Sequence, residues 1–121
     1  ISALDADVAR EVEPAFAAAG YPVFTNASAH RMRPDVPLLV PEVNHEHIAL
    51  VRGQPAFARG GYIVANPNCS AAVAVTALAP LHARYQVESV VVSTFQALSG
   101  AGYPAVAALD SLDNVVPFIA G

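Results

Sequence analysis

The sequence predicts an α/β fold, because helical and extended segments alternate along it. An amphipathic helical pattern opens the chain, and a short β-rich segment follows it. Further on, an apolar extended segment runs directly into a long helical one that begins near Cys69. A last β-rich stretch, residues 88–96, is apolar on both faces, as is typical of a strand buried on two sides.

The first helix is indicated by its periodicity. Gly20 is expected to end it, and Pro14 predicts either a kink or two short helices. Residues 21–25 then have the composition of a short strand. The apolar positions that define the helix recur every four residues, at Leu4, Val8, Val12 and Phe16.

Prolines organise the middle of the chain. They predict a loop over residues 26–41, of which 36–40 could be extended. Asn44 is a plausible cap for a short helix at residues 45–52. A surface turn region at 53–61 then leads into a second strand at 62–65.

The single cysteine lies at the predicted start of a helix. Pro67 restricts Asn66 to extended conformations, so the strand should end there and the chain should turn. Asn68 is a good N-cap and places Cys69 in the first helical turn, where unpaired N–H groups and the helix dipole favour a thiolate. Such a cysteine can act as a nucleophile. It can equally be a small buried hydrophobe, and placement alone leaves both interpretations open.

The helix that follows Cys69 is apolar nearly all round, which predicts that it is buried. Pro80 is expected to kink it by freeing the carbonyl of Thr76. Its apolar run is shorter than the roughly 18 residues that a membrane span needs.

The composition points to an interior section of a larger protein. Hydrophobic residues make up 55% of the chain, charged residues 13%, and there is no lysine. A free-standing domain usually has about a quarter charged residues, so we favour a section over a compact hydrophobic protein. A net charge of −4 gives no electrostatic case for nucleic acid. One cysteine excludes an internal disulfide and fits a reducing compartment, the cytoplasm.

Four motifs together indicate a family. The segment Asn66-Pro67-Asn68-Cys69-Ser70 resembles the active-site segment of aspartate-β-semialdehyde dehydrogenases of the archaeal and fungal type. Three other stretches match that family in the right order: Ser2-Ala3-Leu4, the loop from Asn26 through Arg31 to Asn44, and the run from Gln96 to Pro104. The resemblance covers essentially the whole chain and identifies it as an internal part of such an enzyme.

The resemblance implies two domains. Residues 1–68 would be the C-terminal part of a Rossmann-type NADP-binding domain whose Gly-rich loop is absent. Residues 69–121 would begin an α+β catalytic and dimerisation domain. The implied reaction is the NADP-dependent reductive dephosphorylation of L-aspartyl-4-phosphate to L-aspartate 4-semialdehyde, in lysine, threonine and methionine biosynthesis. The intact enzyme would be a homodimer or homotetramer acting on small molecules, without nucleic-acid or membrane partners.

The same resemblance implies roles for individual residues. Cys69 would be the nucleophile that forms an acyl-thioester, and Gln96 would orient the substrate near the reacting carbon. Arg31 would bind the phosphate, with Arg33 as its close competitor. Backbone N–H groups around Cys69 and Ser70 would stabilise the oxyanion. The residues expected to contact NADP are Ser2, Ala3, Leu4, Ser99, Gly100, Ala101 and Gly102.

Alternatives remain. A malonyl-CoA-type acyl-CoA reductase shares this scaffold and cysteine. A non-catalytic oligomerisation remnant would need none of the chemistry, although an intact Cys69, Gln96 and Arg31 argue against decay. His45 and His47 lie two residues apart, but no third nearby ligand completes a site, so no metal is predicted. The chain alone is expected to be inactive and to expose its apolar helix, because the phosphate-binding loop and the family's catalytic histidine lie outside it.

Overall fold

A computed structural model describes residues 1–97 of the chain. The segment Ser99–Gly102 and the end of the motif that runs from Gln96 to Pro104 lie outside the described residues. The chain divides into two compact units, Ile1–Glu88 and Ser89–Gly121. The boundary predicted between residues 68 and 69 would separate an NADP-binding domain from a catalytic and dimerisation domain, and it stays a prediction.

The first unit is built on parallel strands. Strand β1, Pro22–Thr25, pairs in parallel with strand β2, Tyr62–Ala65, in a register that joins Val23 to Ile63. Single parallel bridges extend the sheet on both sides, from Ser2 to Thr25 and from Leu38 to Ala65. The two predicted strands are therefore confirmed, and the parallel arrangement is that of an α/β fold.

Helix α1, Ala6–Ala18, precedes β1 and packs against the sheet. It runs without interruption through Pro14, so the alternative of two short helices is wrong. Gly20 ends this region in the left-handed conformation (φ +93°), as predicted from its lack of a side chain.

The buried face of α1 is not the one that carries its large apolar side chains. The buried residues are Ala9, Glu13 and Ala17, whereas the apolar positions one residue earlier, such as Val8 and Phe16, are exposed. Close packing explains the choice: a Cβ on Gly61 would lie 1.8 Å from the carbonyl oxygen of Ala17. Only small side chains allow helix and strand to approach so closely.

A small core lies between α1 and the sheet, formed by Ala17, Val23, Val36, Ile63 and Ala65 with Leu38 partly buried beside them. Within it, the side-chain amide of Gln54 takes the place of a peptide unit. Its Nε2 donates to the carbonyls of Asp35 (2.9 Å) and Ile63 (2.8 Å), and its Oε1 accepts from the Ile63 N–H (2.8 Å). This side chain therefore satisfies the free edge of β2.

The connection between the strands is mostly 3₁₀-helical. A short helix α2, Pro41–Asn44, is followed by the 3₁₀ helix His45–Gly53, and shorter 3₁₀ turns occupy Ser28–His30 and Phe57–Arg59. Asn44 is the N-cap residue of the 3₁₀ helix His45–Gly53, close to the predicted helix at 45–52, but its side chain makes no capping hydrogen bond. Its side chain reaches backwards, accepting from the Val40 N–H and donating to the Leu38 carbonyl, because Pro41 starts the helical segment earlier.

Helix α3, Cys69–Tyr85, follows β2, and α2 lies against it. The prediction that it is buried is wrong for the described chain: none of its residues is buried, and Val73 is 73% exposed. An apolar surface is buried only where other elements cover it, and within the first unit the contact with α2 leaves the helix at most half-buried. The helix is continuous through Pro80, and the predicted kink stays a prediction. Among the described residues, no helix is long and apolar enough to cross a membrane.

The strand predicted at residues 88–96 is also absent. Residues 86–97 carry no regular secondary structure, and side chains such as Val91 (98% exposed) face solvent. A strand requires a neighbour with which to form ladder hydrogen bonds, and no segment within residues 1–97 provides one.

Candidate active site

Cys69 occupies the first position of α3, as predicted. Asn68 caps the helix: its Oδ1 accepts a hydrogen bond from the Ser70 N–H at 2.9 Å. The Cys69 thiol is free and exposed, with Sγ 4.0 Å from both Asn68 Oδ1 and Ser70 Oγ. The Ser70 N–H is already bound by the cap, and oxyanion donation by the N–H groups around Cys69 and Ser70 stays a prediction.

The carboxyl ends of three parallel segments meet immediately before this helix. The N–H of Asn66, at the end of β2, donates to the Thr25 carbonyl (2.9 Å), and its side-chain amide donates to Asn26 Oδ1 (2.7 Å). The Asn26 N–H in turn donates to the Ser2 carbonyl (3.0 Å). In open α/β sheets, ligands bind at this edge. We call Ser2, Thr25–Asn26 and Ala65–Asn66 the carboxyl edge.

Arg31 is held across this carboxyl edge. Its Nε donates to the Asn66 carbonyl at 2.9 Å, and its Nη2 donates to the Asn26 carbonyl at 2.7 Å. These contacts use two of the five guanidinium N–H donors. Nη1 makes no hydrogen bond to any other residue within 1–97. The Arg31 guanidinium is therefore fixed to the carbonyl of Asn66, three residues before Cys69 in the chain, and it has N–H donors left for a ligand.

Arg33, the competitor, is engaged elsewhere. Its guanidinium binds Asp35 through two hydrogen bonds, of 3.0 and 2.6 Å. The Arg33 hydrogen bond lowers the pKa of the Asp35 carboxyl, the largest of several causes. A guanidinium neutralised by its own loop has little left to offer an anion. The geometry favours Arg31 over Arg33.

A buried polar cluster under the same loop was not predicted. Glu13, Thr25 and His30 are 1%, 0% and 2% exposed. Thr25 Oγ1 donates to Glu13 Oε1 at 2.6 Å, and His30 Nε2 lies 3.3 Å from Glu13 Oε2. The sequence holds one signal that could have revealed it, a glutamate four residues from each of two alanines on one helical face.

The remaining predicted residues are less closely associated. Ser2 belongs to the carboxyl edge, and Ala3 and Leu4 follow it exposed to solvent. Gln96 lies in the second unit, in a stretch without helix or strand. The other expected NADP contacts, Ser99 to Gly102, lie outside the described residues. Within residues 1–97, no group of three or more His, Cys, Asp or Glu side chains could hold a metal ion.

An apolar cleft of about 340 Å³ opens in the first unit. Ser2, Ala3 and Leu4 line one part of it, and the remaining lining comes from Val12, Glu13 and Phe16 of α1 and from Tyr21–Val23 at the amino end of β1. The cleft therefore borders the three amino-terminal residues that are expected to contact NADP.

Comparison with known proteins agrees with the motifs. The family described as semialdehyde dehydrogenase, NAD binding domain, matches residues 1–51. The aspartate-semialdehyde dehydrogenase of Archaeoglobus fulgidus is 55% identical over 122 residues, covering 99% of this chain and 35% of that protein. The enzyme of the same name from Cryptococcus neoformans is 46% identical, covering 99% of this chain and 34% of its own length.

A solved structure gives the same result. The aspartate-semialdehyde dehydrogenase of Candida albicans with NADP superposes with a TM-score of 0.74 at 38% identity, over 98% of this chain and 34% of that one. The resemblance inferred from the motifs, including its archaeal and fungal character, is confirmed, as is the Rossmann-type α/β class. The chain spans about a third of the length of the relatives it matches.

Proposed function

We propose that this chain is a section of an aspartate-semialdehyde dehydrogenase and that it contributes the nucleophile and the phosphate-binding arginine. The whole enzyme would reduce L-aspartyl-4-phosphate to L-aspartate 4-semialdehyde with NADPH. One observation carries the proposal. The exposed Cys69 begins a capped helix, and the carbonyl of Asn66, three residues before it, accepts a hydrogen bond from Arg31. The proposed anion anchor thus binds the end of the strand that leads into the nucleophile.

The chemistry begins at the thiolate. Cys69 Sγ attacks the acyl carbon of the acyl phosphate, a carbon–sulfur bond forms, and the bond to the phosphate oxygen breaks as inorganic phosphate leaves. The helix dipole stabilises negative charge on the sulfur before the attack. The Cys69 N–H is the donor that would face the developing oxyanion.

Arg31 would bind the phosphate that leaves. The two strand-end carbonyls restrain its guanidinium in advance, so little side-chain entropy is lost when the anion binds. Its remaining N–H groups suit two oxygens of one phosphate. Gln96 would orient the substrate carbonyl as an uncharged amide, a role taken from the resemblance.

The residues present fit a nicotinamide cofactor at the carboxyl edge. Ser2 Oγ is buried without a hydrogen-bond partner among residues 1–97, beside the exposed Ala3 and Leu4. An unsatisfied buried hydroxyl at a strand end is suited to a ligand's polar groups. These residues, with Ser99–Gly102, would hold the cofactor, whose reduced form NADPH would supply the hydride for reduction of the thioester.

A chimaeric enzyme tests the proposal. The matching 122-residue segment of the Archaeoglobus fulgidus enzyme would be replaced by this chain, and phosphate-dependent NADP reduction with aspartate semialdehyde would be measured. We expect activity within about tenfold of the parent, because a shared site tolerates changes outside it. Cys69→Ser should lower kcat at least about 10³-fold and leave the NADP Kd unchanged.

Two results would contradict this. A folded chimaera that reduces no NADP would exclude the activity, and one that uses an acyl-CoA instead would favour the reductase alternative. The 121-residue chain alone should show neither turnover nor tight NADP binding. Micromolar NADP affinity of a soluble monomer would show that the chain is a complete domain.

A further inference from the structure

The buried cluster of Glu13, Thr25 and His30 has no part in the reaction just described. Taking a carboxylate out of water is strongly unfavourable unless it is paired and hydrogen-bonded. An apolar residue between Ala9 and Ala17 would fill the same space without that cost. Packing alone therefore does not explain why a glutamate occupies the centre of this face.

The hydrogen bonds of the cluster have a defined direction. The Ala27 N–H donates to Thr25 Oγ1 at 3.0 Å, which leaves the hydroxyl hydrogen to be donated to Glu13 Oε1. His30 Nε2 lies 3.3 Å from the Ala9 carbonyl, which can only accept, so Nε2 carries a hydrogen. The same Nε2 lies 3.3 Å from Glu13 Oε2.

Both oxygens of Glu13 thus face donors from a single segment, residues 25–30. Oε2 has no aligned hydrogen bond within residues 1–97, and His30 Nε2 lies 3.3 Å from it. The carboxylate ties helix α1 to the two ends of this segment. It restrains the loop, whereas an apolar side chain would merely touch it.

This segment is also the support of the arginine. His30 directly precedes Arg31, and Thr25 directly precedes Asn26, whose carbonyl accepts from Arg31 Nη2. A shift of the loop would therefore move the guanidinium and one of its two acceptors together. We propose that Glu13, Thr25 and His30 are positioning residues that set the orientation of Arg31 toward phosphate. The inference rests on the proposed function of Arg31.

Kinetics of the chimaeric enzyme test the inference. Thr25→Val removes the hydroxyl while keeping the shape, and Glu13→Gln replaces an acceptor facing His30 with a donor. Each should raise the phosphate KM about tenfold with kcat changed less than about threefold. Thr25→Ser, which restores the hydroxyl, should return the KM to the parent value. Glu11→Gln, on the exposed face of the same helix, is the matched control and should change neither.

Double variants separate positioning from general stability. If the cluster acts through Arg31, combining Thr25→Val with Arg31→Lys should raise the phosphate KM no further than Arg31→Lys alone. Multiplied effects would overturn the inference. A lowered thermal midpoint with an unchanged phosphate KM would overturn it too, because the cluster would then serve stability only.

Hydrogen exchange distinguishes this inference from the proposed function. If Arg31→Lys leaves the phosphate KM unchanged, the anchor role has failed and the kinetic test loses its meaning. The cluster is then judged on the amides of Ala27 and Arg31. Faster exchange of both in Thr25→Val, with β2 amides unaffected, supports its hold on the loop. Unchanged exchange overturns it.

Discussion

The last part of the carboxyl edge, Ala65–Asn66, lies directly before helix α3 in the chain. The edge and the helix are nevertheless held by different kinds of hydrogen bond. At the edge, Arg31 and Asn26 bind Asn66 across 35 and 40 residues of sequence. In α3 the hydrogen bonds are local, from the Asn68 cap to the Thr76 hydroxyl, which donates to the Ala72 carbonyl. None of the helix is buried.

The difference shows what each part of the site depends on. The position of Cys69 at a helix start follows from its immediate neighbours, which is why the sequence predicts it. The arginine that would accompany it is placed by contacts that exist only in the folded unit. Changes near the sheet should therefore have large effects that spread, and changes in α3 should have small, local ones.

The largest effect is expected from Gly61→Ala. The added Cβ would lie 1.8 Å from the Ala17 carbonyl oxygen, so α1 would have to move away from the sheet. We expect a loss of about 3 kcal/mol or more in the free energy of unfolding. Gly53→Ala is the control, because a Cβ there meets nothing within 4 Å. Thermal unfolding of the chimaera would measure both, and equal midpoints would show that helix and strand do not pack this closely.

An intermediate effect is expected from Arg31→Lys, which keeps the charge but cannot bind two carbonyls and a phosphate at once. The phosphate KM of the chimaera should rise about tenfold, more than kcat falls. Arg33→Lys should change little, because Arg33 is paired with Asp35. If Arg33 were the sensitive residue, the assignment in this loop would be wrong by two positions.

The smallest effect is expected at the end of α3. Gln86 adopts the left-handed conformation (φ 57°) while its N–H donates to the His82 carbonyl (2.8 Å). Gln86→Gly should stabilise the helix end by about 0.5–1 kcal/mol, because glycine adopts this conformation without strain. Ala77→Gly, at an exposed position in the interior of the same helix, should instead destabilise by about 1 kcal/mol. Amide exchange across α3 would show both, and effects of equal sign would contradict the role of the cap.

Prediction from sequence was best where local chemistry decides the structure. Both strands, the Asn68 cap and the end of α1 near Gly20 are confirmed. It was poorest for burial. The apolar periodicity of α1 located the helix but did not identify its buried face. The residues that are buried against the sheet are Ala9, Glu13 and Ala17. Asn44 shows the same limit, because its side chain binds the preceding loop and not the helix that follows.

By itself, the sequence determined the positions of α1, α3 and the two paired strands and which cysteine could act as a nucleophile, because these depend on proline, capping residues and side-chain periodicity within a few positions. The tertiary structure alone decided which face of α1 is buried, that Gln54 completes the edge of β2, and that a buried glutamate underlies the Arg31 loop. The hydrogen bonds of Gln54 and Glu13 that build these features join residues between 9 and 19 positions apart. No local preference encodes such pairings, since each forms only when packing brings both partners together.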